Sequence, residues 1–130
     1  MKNVVVTGMG IISCIGSGLN EVLSSLKNGK SGIKPNPTYK EMGFRSHVSG
    51  SIDMNLSELI DRKVLRFMSE ASGFAYLAAQ EALINAGLDL SSVDTSRIGI
   101  IAGSGGASSA AQIEASDIAR AKEPKRIGPY

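Results

Sequence analysis

Two kinds of apolar pattern alternate along this chain, unbroken β-branched runs and stripes at helical spacing, and their order predicts an architecture. Asn3 to Thr7 reads Asn-Val-Val-Val-Thr with no alternation of apolar and polar positions. Such a run fits a strand buried on both faces, as in a parallel sheet, and Gly8 and Gly10 end it. After a loop through Gly16 and Gly18, the residues Leu19, Val22, Leu23 and Leu26 stand at the i, i+3, i+4, i+7 positions of a short amphipathic helix. Asn28-Gly29 supplies its stop. Pro35 and Pro37 make the next stretch irregular, and Phe44 to Ile52 alternates loosely enough for an edge strand or an extended loop.

Ser57 reads as the cap of a segment that carries Glu58 and Asp61 early, followed by Val64, Leu65, Phe67 and Met68. From Ser69 to Ala86 a stripe of Ala71, Phe74, Ala75, Ala78, Ala82 and Leu83 predicts a helix closed by Gly87. So many alanines imply close backbone packing, as in a helix held between layers. Ile98 to Ala102 is a second run of the doubly buried kind and leads into Gly103-Ser104-Gly105-Gly106. Ser108 or Ser109 then caps a helix through Ile113 and Ile118. The order strand, helix, irregular stretch, helix, strand, helix predicts an α/β protein with a mostly parallel sheet.

Composition agrees with a soluble globular domain: 130 residues, 42% apolar and 20% charged. The net charge of +2 is small, so any preference for a charged partner rests on local clusters. One cysteine, Cys14, excludes an internal disulfide framework and a cysteine metal cage, and one histidine, His47, excludes a two-histidine site within the chain. No apolar run approaches the roughly 18 to 20 residues that span a bilayer. The apolar start is broken by Thr7, Gly8 and Gly10 after a single positive charge, unlike a secretory signal, so a reduced, cytoplasmic protein is the expectation.

Among chemical motifs, Gly8-Met9-Gly10 follows a strand-like run, as in dinucleotide-binding turns. The third fingerprint glycine is Ser13, and no acidic residue stands about 20 positions on to hold a ribose. Gly29-Lys30-Ser31 resembles the end of a phosphate loop but follows a helix and has Ser24 where the first glycine belongs. Cys14 has no histidine or lysine partner nearby and reads as a small packing residue. His47, flanked by polar groups, reads as a structural or surface histidine. Two basic clusters remain. Arg62, Lys63 and Arg66 gather on one side of a helical turn, and Arg120-Ala121-Lys122-Glu123-Pro124-Lys125-Arg126 sets four positive groups against one negative. Each reads as a solvated face or as a dock for an acidic partner. The absence of tryptophan and the scarcity of other aromatics argue against single-stranded nucleic acid.

Several stretches together resemble the N-terminal part of the β-ketoacyl-acyl-carrier-protein synthases. They are Val4 to Ser13, Gly29 to Ile33, Leu59 to Ser69, Glu81 to Leu88, Arg97 to Gly106, and Gly128-Pro129-Tyr130. The Ile-Asp-Arg-Lys-x-x-Arg-Phe-Met run, with Arg45-Ser46-His47-Val48, favours the type I synthase of bacterial fatty-acid synthesis. The resemblance implies that residues 1–130 are part of the N-terminal domain of a thiolase-like, layered αβαβα fold with a mostly parallel central sheet, in a homodimer. The implied reaction is a decarboxylative Claisen condensation of an acyl thioester with malonyl-acyl carrier protein. It uses no metal or organic cofactor beyond the phosphopantetheine on the carrier. The family's nucleophilic cysteine and two histidines fall beyond the Gly-Pro-Tyr motif, so no catalytic residue is expected among these 130 and the chain alone is expected to be inactive. Arg62, Lys63 and Arg66 match positions that contact the acidic helix of acyl carrier protein. Lys122 and Lys125 match a second basic patch for the carrier docked on the neighbouring subunit. Gly105, Gly106 and Ala107 resemble a segment near the acyl pocket and dimer interface. The rival expectation is a non-catalytic module of the same kind that binds carrier protein or dimerises. A protein of either kind has no membrane or nucleic-acid partner.

Overall fold

A computed structural model describes residues 3–121 and 123–128. They form an α/β chain with strands β1 (Ile12–Ser13), β2 (Gly16–Ser17), β3 (Lys34–Pro35) and β4 (Val48–Ser49). The helices are α1 (Leu19–Lys27), α2 (Pro37–Glu41), α3 (Leu56–Leu59), α4 (Arg62–Leu65), α5 (Glu70–Asn85) and α6 (Ser109–Ala121). Single 3₁₀ turns lie at Thr95–Arg97 and Pro124–Arg126. The chain divides into two units, residues 1–54 with 77–89, and residues 55–76 with 90–130.

In the first unit, β1 and β2 make a tight antiparallel hairpin, pairing Ile12 with Ser17 and Ser13 with Gly16. Ser25 of α1 is buried and donates its hydroxyl to the Ile15 carbonyl at 2.6 Å, which ties the hairpin to the helix. The C-terminal half of α5 carries the segment before the hairpin. A β-carbon added to Gly8 would collide with the Ala82 carbonyl oxygen and stand 2.8 Å from the Ala86 β-carbon. One added to Gly10 would collide with the Ala78 carbonyl oxygen and stand 2.8 Å from the Ala82 amide nitrogen. Ala78 and Ala82 of the stripe therefore serve the close packing it predicts, against the backbone of residues 8–10, whereas Ala71 and Ala75 are exposed, so a helix held between layers is not observed. Lys34 pairs with Ser49 and Pro35 with Val48, again antiparallel.

Helix α1 stops as expected, with Gly29 at φ 61° just beyond Asn28. Helix α6 has the expected start, because the Ser108 hydroxyl oxygen accepts the Ala111 amide at 3.2 Å. Two local expectations are corrected. The proline-bearing stretch contains α2, capped by Asn36, which accepts the Tyr39 amide, with Pro37 pre-set at the first helical position. The segment that begins near Ser57 is capped by Asn55 instead, and it is two single turns, because Ile60 is extended at φ −124°, ψ 134°. In the 3₁₀ turn after α5, Ser96 donates its hydroxyl and its amide to Asp94, holding that exposed carboxyl below its ordinary range.

The runs at Asn3 to Thr7 and Ile98 to Ala102 do not enter either sheet. Their β-propensity is high, but a strand needs a ladder partner, and among the described residues neither run has one. Burial on both faces is likewise not observed: Val4 is 95% exposed, Ile100 91% and Ile101 102%. The sheets that do form are antiparallel. The buried apolar side chains among the described residues are Val22 and Ile60. A chain with so little core and such apolar edges is expected to bind an apolar dye and self-associate when purified as these 130 residues. A monodisperse sample with a cooperative thermal transition and no dye binding would contradict that expectation.

Candidate functional site

The first basic cluster is built on a single capped turn. Asp61 caps α4, accepting the Lys63 amide on its side chain at 2.7 Å, while its carbonyl receives the Val64 and Leu65 amides at 2.9 Å each. Arg62 opens the turn and Arg66 closes it, the Arg66 amide reaching back to the Arg62 carbonyl at 3.2 Å. The turn is seated from below by Ile60, which is buried, and by Leu56. Both side chains lie against Gly73 of α5, where an added β-carbon would stand 2.6 Å from Leu56 Cδ1 and 3.5 Å from Ile60 Cδ1. Arg62, Lys63 and Arg66 are all exposed, and among the described residues none of them is in an ion pair. The Arg66 guanidinium carbon lies 4.4 Å from the centre of the Phe67 ring. The result is a patch of three cations whose one acidic neighbour in the turn, Asp61, is engaged in capping.

The second cluster follows α6. Lys122 lies outside the described residues, as do Pro129 and Tyr130 of the Gly-Pro-Tyr motif. Lys125 pairs with Glu123 at 2.6 Å, with both side chains mostly exposed. Solvent-exposed pairs of this kind contribute about 0 to 1 kcal/mol, so Lys125 stays available to another anion. Arg120 and Arg126 are exposed beside it.

Around Gly105, Gly106 and Ala107 the backbone turns on Ser104, whose hydroxyl donates to the Gly106 carbonyl at 2.7 Å. Nothing within 4 Å would meet a β-carbon at Gly103, Gly105 or Gly106, so these glycines are not required by a neighbour among the described residues. Ala107 lines a groove of about 580 Å³ with Phe67, Met68, Ser69 and the first turns of α6.

The remaining motifs have positions that explain their composition. Gly8 and Gly10 are packed on α5, and the amides near them are taken: Asn85 accepts Met9 N at 3.1 Å and Glu81 accepts Ile11 N at 2.9 Å. The other Glu81 oxygen accepts Leu19 N at 2.8 Å, at the start of α1, where Gly18 offers no capping side chain. The place a pyrophosphate would take in a dinucleotide turn thus holds an internal carboxylate. Glu81 was not legible as a cap, because it reaches across 62 residues. Cys14 is half-buried between glycines: a β-carbon at Gly32 would stand 2.7 Å from its sulfur, and one at Gly50 3.1 Å. It is a packing residue here. His47 is exposed, and its carbonyl accepts the Asn36 amide at 2.7 Å. Gly29-Lys30-Ser31 closes α1 instead of opening a helix. Among the described residues no group of three or more histidine, cysteine or acidic side chains is placed to hold a metal ion, and no helix is long and apolar enough to cross a membrane.

The family model described as the β-ketoacyl synthase N-terminal domain matches residues 1–129. The chain belongs to this family. Over its whole length it is 50% identical to 3-oxoacyl-acyl-carrier-protein synthase 1 of Haemophilus influenzae and 46% identical to the protein of the same name from Escherichia coli. It is 31% identical to 3-oxoacyl-acyl-carrier-protein synthase 2 of Staphylococcus aureus over 99% of its length. In the first two cases it covers 32% of the relative, so it spans about a third of the length of these synthases. Membership of this family implies a thiolase-like fold.

Proposed function

We propose that this chain is the carrier-docking, N-terminal part of a type I 3-oxoacyl-acyl-carrier-protein synthase of fatty-acid biosynthesis, an acyltransferase that works as a homodimer in the cytoplasm. The observation that carries the proposal is full-chain similarity to synthases of that name at 46 to 50% identity. The exposed Arg62, Lys63 and Arg66 add the physical means, since three cations without ion-pair partners among the described residues attract an acidic helix with little internal competition. Lys125 and Lys122 form the second basic patch, used by the carrier on the neighbouring subunit. In the intact synthase the runs at Asn3 to Thr7 and Ile98 to Ala102, which lie outside both sheets here, join a mostly parallel central sheet with ladder partners from the rest of the protein.

In the reaction, malonyl-carrier loses carbon dioxide to give an enolate. Its carbon attacks the carbonyl of an enzyme-bound acyl thioester, a carbon–carbon bond forms, and the carbon–sulfur bond to the enzyme breaks, returning the thiolate. The reacting groups come from elsewhere in the intact synthase: here Cys14 is wedged between glycines and His47 is exposed. Gly105, Gly106 and Ala107 lie near the acyl pocket and dimer interface. Purified alone and mixed with acyl-carrier and malonyl-carrier substrates, the 130 residues are expected to form no 3-oxoacyl product. Turnover by the isolated chain would refute the assignment of the chemistry to other residues.

A further inference from the structure

Phe67 is 56% exposed and directly follows the basic turn. Helix α4 ends at Leu65, so the residues after it leave the helical register in which Phe67 would follow the apolar face, and its amide bonds the Val64 carbonyl at 3.1 Å. Val64, 41% exposed, stands one turn before it. Arg66 lies over the ring at 4.4 Å. A guanidinium stacked on an aromatic face is held in one orientation while its edge donors remain free, so less rotamer freedom is lost when a carboxylate binds.

We infer that Phe67, with Val64 one turn before it, is the apolar anchor of the carrier-docking surface, stacked by Arg66 and directly following the turn that carries Arg62 and Lys63. Its occupant is an acidic amphipathic helix of acyl carrier protein that sets one apolar side chain against the ring while flanking carboxylates meet the three cations. The charge complementarity of three cations that have no ion-pair partner among the described residues selects that occupant, and the inference rests on the docking function proposed above. Aromatic anchors surrounded by charged rims are where binding free energy concentrates at protein interfaces, whereas rim charges mainly set encounter rate and salt dependence. The two contributions therefore separate by their response to salt.

The test is titration of purified holo acyl carrier protein against the intact protein containing this chain, across a range of salt concentrations. Phe67→Ala is expected to weaken binding about tenfold at every salt concentration with the slope against salt retained. Phe67→Leu, which keeps apolar bulk, should stay within about threefold of the parent. Phe67→Gln, which keeps size and loses the apolar surface, should repeat the alanine result and serves if the alanine variant fails to fold. Parent-like affinity of Phe67→Ala or Phe67→Gln, alongside weakened binding by Arg62→Glu/Lys63→Glu, overturns the anchor and leaves docking standing. If neither the ring nor the charges affect binding, docking at this surface is itself wrong and the anchor falls with it.

Discussion

Replacing Gly10 by valine is expected to unfold the first unit or leave it marginal, with a loss of about 3 kcal/mol or more. A β-carbon at this position collides with the Ala78 carbonyl oxygen and crowds the Ala82 amide nitrogen, and both atoms belong to the backbone of α5. Side chains yield to overpacking by changing rotamer, but a helix carbonyl moves only with its helix. Relief therefore requires residues 8–10 to lift away from α5, which also pulls Met9 N from Asn85 and Ile11 N from Glu81. Each of those hydrogen bonds contributes on the order of 1 kcal/mol, with more for the one to a carboxylate. Gly29→Ala is the matched control: its β-carbon meets nothing within 4 Å, and only the φ of 61° opposes it. That substitution should cost about 1 to 2 kcal/mol. Denaturant unfolding of both variants in the intact protein measures the difference. Equal, small losses would mean that the glycines serve a bound ligand or nothing at all, and that the close seam on α5 is unimportant.

The second large effect is on binding. Arg62→Glu/Lys63→Glu in the intact protein should weaken acyl carrier protein by about 10- to 100-fold at low salt, because each reversal removes an attraction and adds a repulsion at the rim. The difference should shrink as salt rises, since exposed charges are screened within about 3 Å near 1 M. Neither side chain contacts the small core, so the melting temperature should stay close to that of the parent. Unchanged affinity at low salt would remove the patch from the docking surface.

What was legible in the sequence depended on whether the governing interaction was local. Helices α1, α5 and α6 were readable because apolar spacing, Ser108 and the glycines at 29 and 87 act within a few residues. Gly87 does adopt φ 63° after α5. Helix α2 does not follow from apolar spacing, because its signal is Asn36-Pro37, a cap followed by a pre-set first residue, inside a stretch whose prolines predict an irregular loop. The break at Ile60 was also invisible, since burial against α5 and not helix propensity sets it extended. The runs at Asn3 to Thr7 and Ile98 to Ala102 have strand-like residues but lie outside both sheets, because pairing is non-local and the described residues offer them no ladder.

The candidate site followed the same division. The spacing of Arg62, Lys63 and Arg66 marked one turn, and one turn holds them. The apolar spacing makes Phe67 a helix position, but it is exposed and α4 stops two residues earlier. Glu81 could be seen only as part of a family motif, although its carboxylate joins Ile11 to the start of α1 and fills the anion position that made Gly8-Met9-Gly10 look like a nucleotide turn.

The most direct measurement is the rate of 3-oxoacyl product formation by the intact protein with malonyl-acyl carrier protein, compared with malonyl on a free pantetheine thioester. The parent is expected to form product from both. Arg62→Glu/Lys63→Glu is expected to raise KM for the carrier-bound substrate while leaving turnover of the small thioester unchanged. No product from the parent, or an unchanged KM in the charge-reversed protein, would contradict a carrier-docking role in a condensing enzyme.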